Sequence, residues 1–178
     1  ISNNFHHWDD CTVLFKGRST RSTGHRFCGI DRKKLLTLLQ ARASKLGVKI
    51  EFGRHITDIS LLGNPDLIVA ADGVNSVLRN QYAEHFQPNI ELGKCRYLWL
   101  GTRLKLDAFT FISEHREWGW FQAHAYQFDN ELSSFIVECH EETWIAAGLD
   151  QLDEHATLRF CERIFGKHLR GQALIAHK

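Results

Sequence analysis

The chain has 178 residues, 43% hydrophobic and 24% charged, enough apolar material to bury a core of ordinary globular type. Its formal net charge of +1 gives no basic field for nucleic acid, and no apolar run approaches the roughly 18 residues of a membrane span. The first residues lack signal-peptide zoning. Five scattered cysteines without a C-x-x-C pair point to reduced thiols in a cytoplasmic setting.

Eleven histidines are spread without H-E-x-x-H or paired Cys/His spacing, so no metal site is expected. The sequence holds no methionine, and Leu174-Ile175-Ala176 runs to the last residues without turn chemistry. Both ends read as cut, and an internal fragment is the expectation.

Residues 1–27 read as polar and loop-like, with a strand at Thr12 to Phe15 and a mobile or ligand-facing loop over 16–24. A helix follows. Asp31 is its N-cap, Leu35, Leu36, Leu39, Ala43 and Leu46 share a face near the 3.6 period, and Gly47 supplies the left-handed stop. Val48, Ile50 and Phe52 alternate with charged residues and predict a half-buried strand; a second covers Ile56 to Ile59. Leu67-Ile68-Val69-Ala70-Ala71 is apolar without alternation, as in a strand covered on both faces. A short helix is predicted from Asn75 to Tyr82.

From residue 96 the texture changes. Aromatic-rich runs at Tyr97 to Leu100, Phe109 to Ile112, Trp118 to Tyr126 and Ser134 to Glu138, split by turns at 115–117 and at Asp129-Asn130, predict an antiparallel meander. Short and longer helices follow over 141–147 and 153–165, the latter with Ala156, Phe160 and Ile164 on one face. The fold class is therefore mixed α/β: part of a nucleotide-binding α/β unit, then an antiparallel β-rich unit carrying a helix.

Asp72-Gly73 closes the apolar run. Ligands of open α/β sheets sit beyond the carboxyl ends of strands, where a carboxylate can accept hydroxyl hydrogen bonds and glycine admits a close backbone approach. An Asp-Gly turn after a strand is also common with no ligand at all. In the second half, Trp120, Gln122, His124 and Tyr126 share one strand face by the period of two, which suits a wall for a flat ring or, equally, a solvated or core face.

The string from Asp66 to Arg79, with Asp72, Gly73, Ser76 and Arg79 at characteristic spacing, resembles the D-G fingerprint of the single-component flavin aromatic hydroxylases, the 4-hydroxybenzoate hydroxylase group. Residues 29–36 and 47–52 are similar to the helix and strand preceding that fingerprint. Residues 97–102, 107–111, 119–126 and 134–139 resemble the branch holding salicylyl-CoA 5-hydroxylase and 2-aminobenzoyl-CoA monooxygenase.

The resemblance implies that residues 1–95 are the middle of an FAD-binding Rossmann-like domain and 96–178 an incomplete substrate-binding domain. It implies FAD contacts at Arg32, Asp72, Gly73, Ser76 and Arg79. An arginine beside a helix start also reinforces an anion site, or is merely exposed in an Arg-Lys-Lys run.

The implied reaction is reduction of FAD by NAD(P)H, capture of dioxygen as a flavin C4a-hydroperoxide, and hydroxylation of an aromatic acyl-CoA thioester. Trp120, Gln122, His124 and Tyr126 would then line the substrate and His124 act as base. Arg18, Arg21, Arg103, Lys105 and Arg116 are the cations available to CoA. A free aromatic acid or an indole as substrate, or a non-catalytic nucleotide-binding remnant, are the competing readings. The family's early G-x-G-x-x-G and later Gly-Asp segment do not occur in these 178 residues.

Overall fold

The computed structural model describes residues 4–176, which divide into two compact units: residues up to 39 together with those from 94 onward, and residues 40–93.

The larger unit is built on a seven-stranded sheet. Its strands are β2 (Cys11–Phe15), β3 (Arg18–Ser22), β5 (Cys95–Thr102), β6 (Phe109–Arg116), β7 (Gly119–Gln127), β8 (Ser133–His140) and β9 (Leu174–Ala176), ordered β3-β2-β6-β7-β8-β5-β9. Every neighbouring pair is antiparallel except β2 and β6, which run parallel. A separate two-stranded ribbon pairs β1 (His6–Trp8) with β4 (Phe27–Gly29).

Strands β6, β7 and β8 form the predicted meander, but β5, the predicted run at Tyr97 to Leu100, pairs with β8 and not with β6. Asp129 holds the β7–β8 connection, its Oδ1 accepting from the amides of Glu131 at 2.7 Å and Leu132 at 2.6 Å.

Sheet alternation divides β7 cleanly. Phe121, Ala123 and Ala125 point to the buried face, and Trp120, Gln122, His124 and Tyr126 to the other. Helix α5 (Glu154–Leu169), capped by Asp153 through the Ala156 amide, covers the buried face with Phe160, Cys161, Ile164, Phe165 and Leu169. Phe121 meets Phe160 with ring centroids 5.6 Å apart, and Phe135 meets Phe165 edge-on at 5.5 Å. Helix α4 (Glu141–Ala146) follows β8 directly.

Four expectations for the first half are corrected. Within 16–24, expected as one loop, residues 18–22 are strand β3. Lys16 and Gly17 both take positive φ (49° and 74°), the paired left-handed geometry of a tight two-residue hairpin, and β3 returns along β2. All five residues of β3 are exposed and polar, as suits a sheet edge. Residues 6–8, also expected as loop, are β1, and β4 begins at Phe27, the last residue of that expected stretch. Strands β2 and β3 thus join the same sheet as the later half of the chain.

The expected strands at 48–52, 56–59 and 67–71 do not form. Their backbones are irregular, apart from a short 3-10 turn at Ile59–Leu62. A strand exists only as part of a ladder, and no partner strand lies beside these segments among the described residues. The Leu67 to Ala71 run, expected to be covered on both faces, leaves Leu67 79% and Val69 77% exposed.

Helix α1 (Arg32–Lys45) forms as predicted, with the Lys34 amide donating to Asp31 Oδ1 at 2.8 Å and Gly47 at φ 80°. Its expected apolar face is not buried: Leu36, Leu39 and Leu46 are exposed. Helix α2 (Val77–Gln81) matches the predicted short helix, and α3 (Ala83–Phe86) follows it. No helix among the described residues is long and apolar enough to cross a membrane.

Candidate functional site

In the 40–93 unit, the D-G fingerprint closes on itself. Asp72 Oδ1 accepts the Ser76 hydroxyl at 2.6 Å, and Oδ2 accepts the amides of Val77 (2.8 Å) and Leu78 (3.4 Å), capping α2. The Ser76 Oγ in turn accepts from the Arg79 amide at 2.9 Å, and the Arg79 guanidinium donates to the Val74 carbonyl at 2.7 Å. The Ser76 hydroxyl and the amides, outweighing desolvation, hold the Asp72 carboxyl below its usual range. Asp72, Gly73, Ser76 and Arg79 therefore form one local turn. Asp72 also lines a cavity of about 470 Å³ with Ile68 to Ala71 and Leu78.

In the sheet unit, the predicted wall is real as a face and divided as a site. Tyr126 stacks on Phe109 at 5.1 Å and meets Trp8 edge-on at 5.8 Å. His124 lies edge-on to Phe111 at 4.9 Å, with Nε2 3.6 Å from Glu138. Trp120 stacks on Phe15 at 5.4 Å and lies 4.8 Å from His115. Trp120 and Tyr126 are six residue steps apart along the strand, about 20 Å at the usual rise, so one aromatic ring cannot touch both.

The Tyr126 end holds a cavity of about 300 Å³. Arg32 and Leu35 of α1 line it together with Ile30, Trp99, Phe128 and Ser134. Register explains part of this set: Tyr126 pairs with Ser134 across β7 and β8, and the buried Ser134 turns its hydroxyl to the same face as Tyr126. Arg32 and Tyr126, assigned from sequence to cofactor and substrate, thus share one lining. Gln122 and His124 do not reach it.

Four of the five cations offered to CoA are engaged internally. Arg21 pairs with Asp10 (2.6 Å) and Asp107 (2.8 Å), Arg103 with Glu131 (3.4 Å), and Lys105 with the Asn130 carbonyl. Arg116 donates to Glu114 and to the Ile164 carbonyl, both at 2.8 Å. These four contacts lie within the chain, and Arg21 and Arg103 stay partly exposed while making them.

Three curated relatives align with most of this sequence. A salicyloyl-CoA 5-hydroxylase from Streptomyces sp is 35% identical over 96% of the chain and 35% of its own length. A protodeoxyviolaceinate monooxygenase from Chromobacterium violaceum is 31% identical over 89% of the chain and 43% of its length. A 3-hydroxy-4-methyl-anthranilyl-[aryl-carrier protein] 5-monooxygenase from Streptosporangium sibiricum is 36% identical over 74% and 36%. The chain is a homologue of these monooxygenases. It spans 35% to 43% of the length of these relatives. No protein-family model matches it. A triple mutant of a flavin-dependent brominase shares the fold, with a TM-score of 0.50 over 99% of the chain and 51% of its own, at 12% identity.

Four residues bear on how this monooxygenase homologue would fit a flavin dinucleotide. Gly73 has φ 87° and nothing within 4 Å of where a Cβ would stand, so an approaching group meets open backbone. Arg79 Nε is buried with no partner among the described residues, a donor left for an acceptor. Arg32, at the first position of α1, is exposed on a cavity wall. These three fit. Asp72 fits as the residue that holds the turn, since both its oxygens are already engaged.

Sequence reasoning missed Phe109, Phe111, Phe15 and Ser134 as members of the aromatic face. The period of two in Phe109 and Phe111 was a usable signal; the parallel pairing of β2 with β6, which brings Phe15 there, was not. It also missed the carboxylate Glu114, which is buried yet held at a pKa of about 2. Burial pushes Glu114 up, and contacts from His168 (2.7 Å), Lys167 (2.9 Å) and Arg116 (2.8 Å) outweigh it.

Proposed function

We propose that this chain supplies part of the FAD site and the ring-facing wall of a monooxygenase that hydroxylates an aromatic acyl-CoA thioester, using NAD(P)H and dioxygen. In this reading α1 and the Asp72 turn serve FAD within residues 1–95, and the sheet of residues 96–178, extended by β2 and β3, serves the substrate. The observation that carries it is the shared cavity of Arg32 and Tyr126. Its 300 Å³ lies at the low end for small-molecule sites, sized for a substituted ring rather than a whole thioester. Two of the three relatives are named for aromatic acyl groups joined to a carrier, CoA or an aryl-carrier protein.

The flavin, when bound, would supply the oxygen-activating redox chemistry. This chain's residues do the rest. Trp99, Tyr126 and Phe128 hold a ring flat and keep water from it, and the Ser134 hydroxyl orients a polar substituent. In the 40–93 unit Gly73 and Arg79 would serve the dinucleotide, with Asp72 and Ser76 keeping the turn that presents them, and in the sheet unit Arg32 would serve it as a cation at the start of α1. His124 stands two residues along the same face, outside the cavity lining and 3.6 Å from Glu138, and would take the proton of an activating hydroxyl or amino group that projects from the cavity towards it.

The test is the protein expressed from its full reading frame. Flavin absorbance, with NAD(P)H oxidation stimulated by salicyl- or aminobenzoyl-CoA and not by the free acids, is the expected result. A colourless protein that cannot be reconstituted with FAD overturns the reading, and stimulation by the free acid or an indole alone overturns the thioester assignment.

A further inference from the structure

The far end of β7 carries chemistry that the ring cavity does not use. Phe15 and Trp120 stack there, yet remain 45% and 43% exposed. Beside Trp120 lies a cavity of about 420 Å³ that it lines with Lys16, Ser113, His115 and Lys167. A second of about 290 Å³ shares Lys16, Ser113 and Lys167 and adds Arg18. Lys16 sits over the Phe15 ring at 5.4 Å, and Arg18 has no ion-pair partner among the described residues. Glu114, the carboxylate in both linings, is already met by Arg116 and His168 as well as Lys167, so its charge does not repel an anion. Exposed stacked aromatics beside three cations match a purine joined to several phosphates.

Resting on the thioester reading above, we propose that this end of the sheet binds the 3′-phospho-ADP portion of the CoA substrate. Lys16, Arg18 and Lys167 hold its phosphates, and Trp120 stacks on its adenine. The spacing agrees. Tyr126 and Trp120 are about 20 Å apart along the strand. The pantetheine arm is twelve bonds long, equivalent to four residues of chain and about 14 Å extended, and the diphosphate supplies the remainder. Between the two ends the same face presents a polar row: Ser113 pairs with Gln122, and Gln122 with Glu138, across β6, β7 and β8. Gln122 and Glu138 offer a donor and acceptors to the arm's two amides. Gln122, expected to orient the ring, is thereby assigned to the arm.

The test uses the full-length protein with aromatic CoA esters, the same acyl group on pantetheine alone, and CoA by itself. Removing the nucleotide is expected to raise KM at least tenfold. In the double variant Lys16→Asn, Arg18→Gln, the KM for the CoA ester and the Kd for CoA rise by a similar factor, and the KM for the pantetheine ester does not move. Asparagine tolerates the left-handed φ at position 16, so the hairpin persists. Lys167→Gln, with Arg116 and His168 still on Glu114, gives a smaller rise. Equal KM values for the two esters, or a CoA affinity unmoved in the double variant, overturn the inference and leave the thioester reading standing. Turnover of the free acid alone overturns both.

Discussion

Replacing Glu114 by glutamine is the most informative perturbation of the sheet unit. Glu114 is 7% exposed and receives Arg116, Lys167 and His168, which outweigh its desolvation and hold its pKa at about 2 against an ordinary 4.5. That difference corresponds to about 3 kcal/mol of native-state stability at pH 7. The glutamine amide cannot substitute, because its N–H groups would face donors.

In chemical denaturation at pH 7 the variant should lose about 3 kcal/mol, or roughly 10 °C in Tm for a unit of this size. The folded-state pKa is depressed. The stabilisation is therefore complete above 4.5 and lost as pH falls from there towards 2. The gap between wild type and Glu114→Gln should close by about half at pH 3. A gap under 1 kcal/mol at pH 7, or one that does not narrow between pH 7 and pH 3, would refute the idea that ionisation of Glu114 ties β6 to α5.

Three further outcomes are expected. Phe121→Ala removes a side chain 1% exposed and packed on Phe160, and should cost about 3–5 kcal/mol in equilibrium unfolding, whereas Gln122→Ala on the opposite face should cost under 1 kcal/mol. Ser76→Ala deletes the cap of α2 and the Asp72 partner. It should destabilise that turn by about 1 kcal/mol, seen as faster amide exchange at Val77 to Arg79, and lower the flavin retained on purification. His124→Gln should lower kcat of the full-length enzyme by about 10²-fold or more with little change in KM; an unchanged kcat excludes His124 as the base.

The sequence by itself determined the local elements and the kinship. The 3.6 period and its cap residues placed α1 and α5 because caps and amphipathic spacing are local in the chain. Alternation placed the meander, and with it the shared face of Trp120, Gln122, His124 and Tyr126. The hairpin at Lys16-Gly17 was missed, since a polar edge strand carries no apolar alternation to announce it. The apolar run before Asp72 was read as a strand because composition reports a wish to be buried and says nothing about whether a ladder is available.

What only the tertiary structure decided is how that shared face is used. A period of two says which residues are neighbours in direction, while distance along the strand and pairing across it say which can meet one ligand. Register set Ser134 beside Tyr126, the course of α1 set Arg32 on the same cavity, and the parallel pairing of β2 with β6 carried Phe15 to Trp120 at the other end. Those are contacts between residues far apart in sequence, decided by sheet geometry, and no local pattern encodes them.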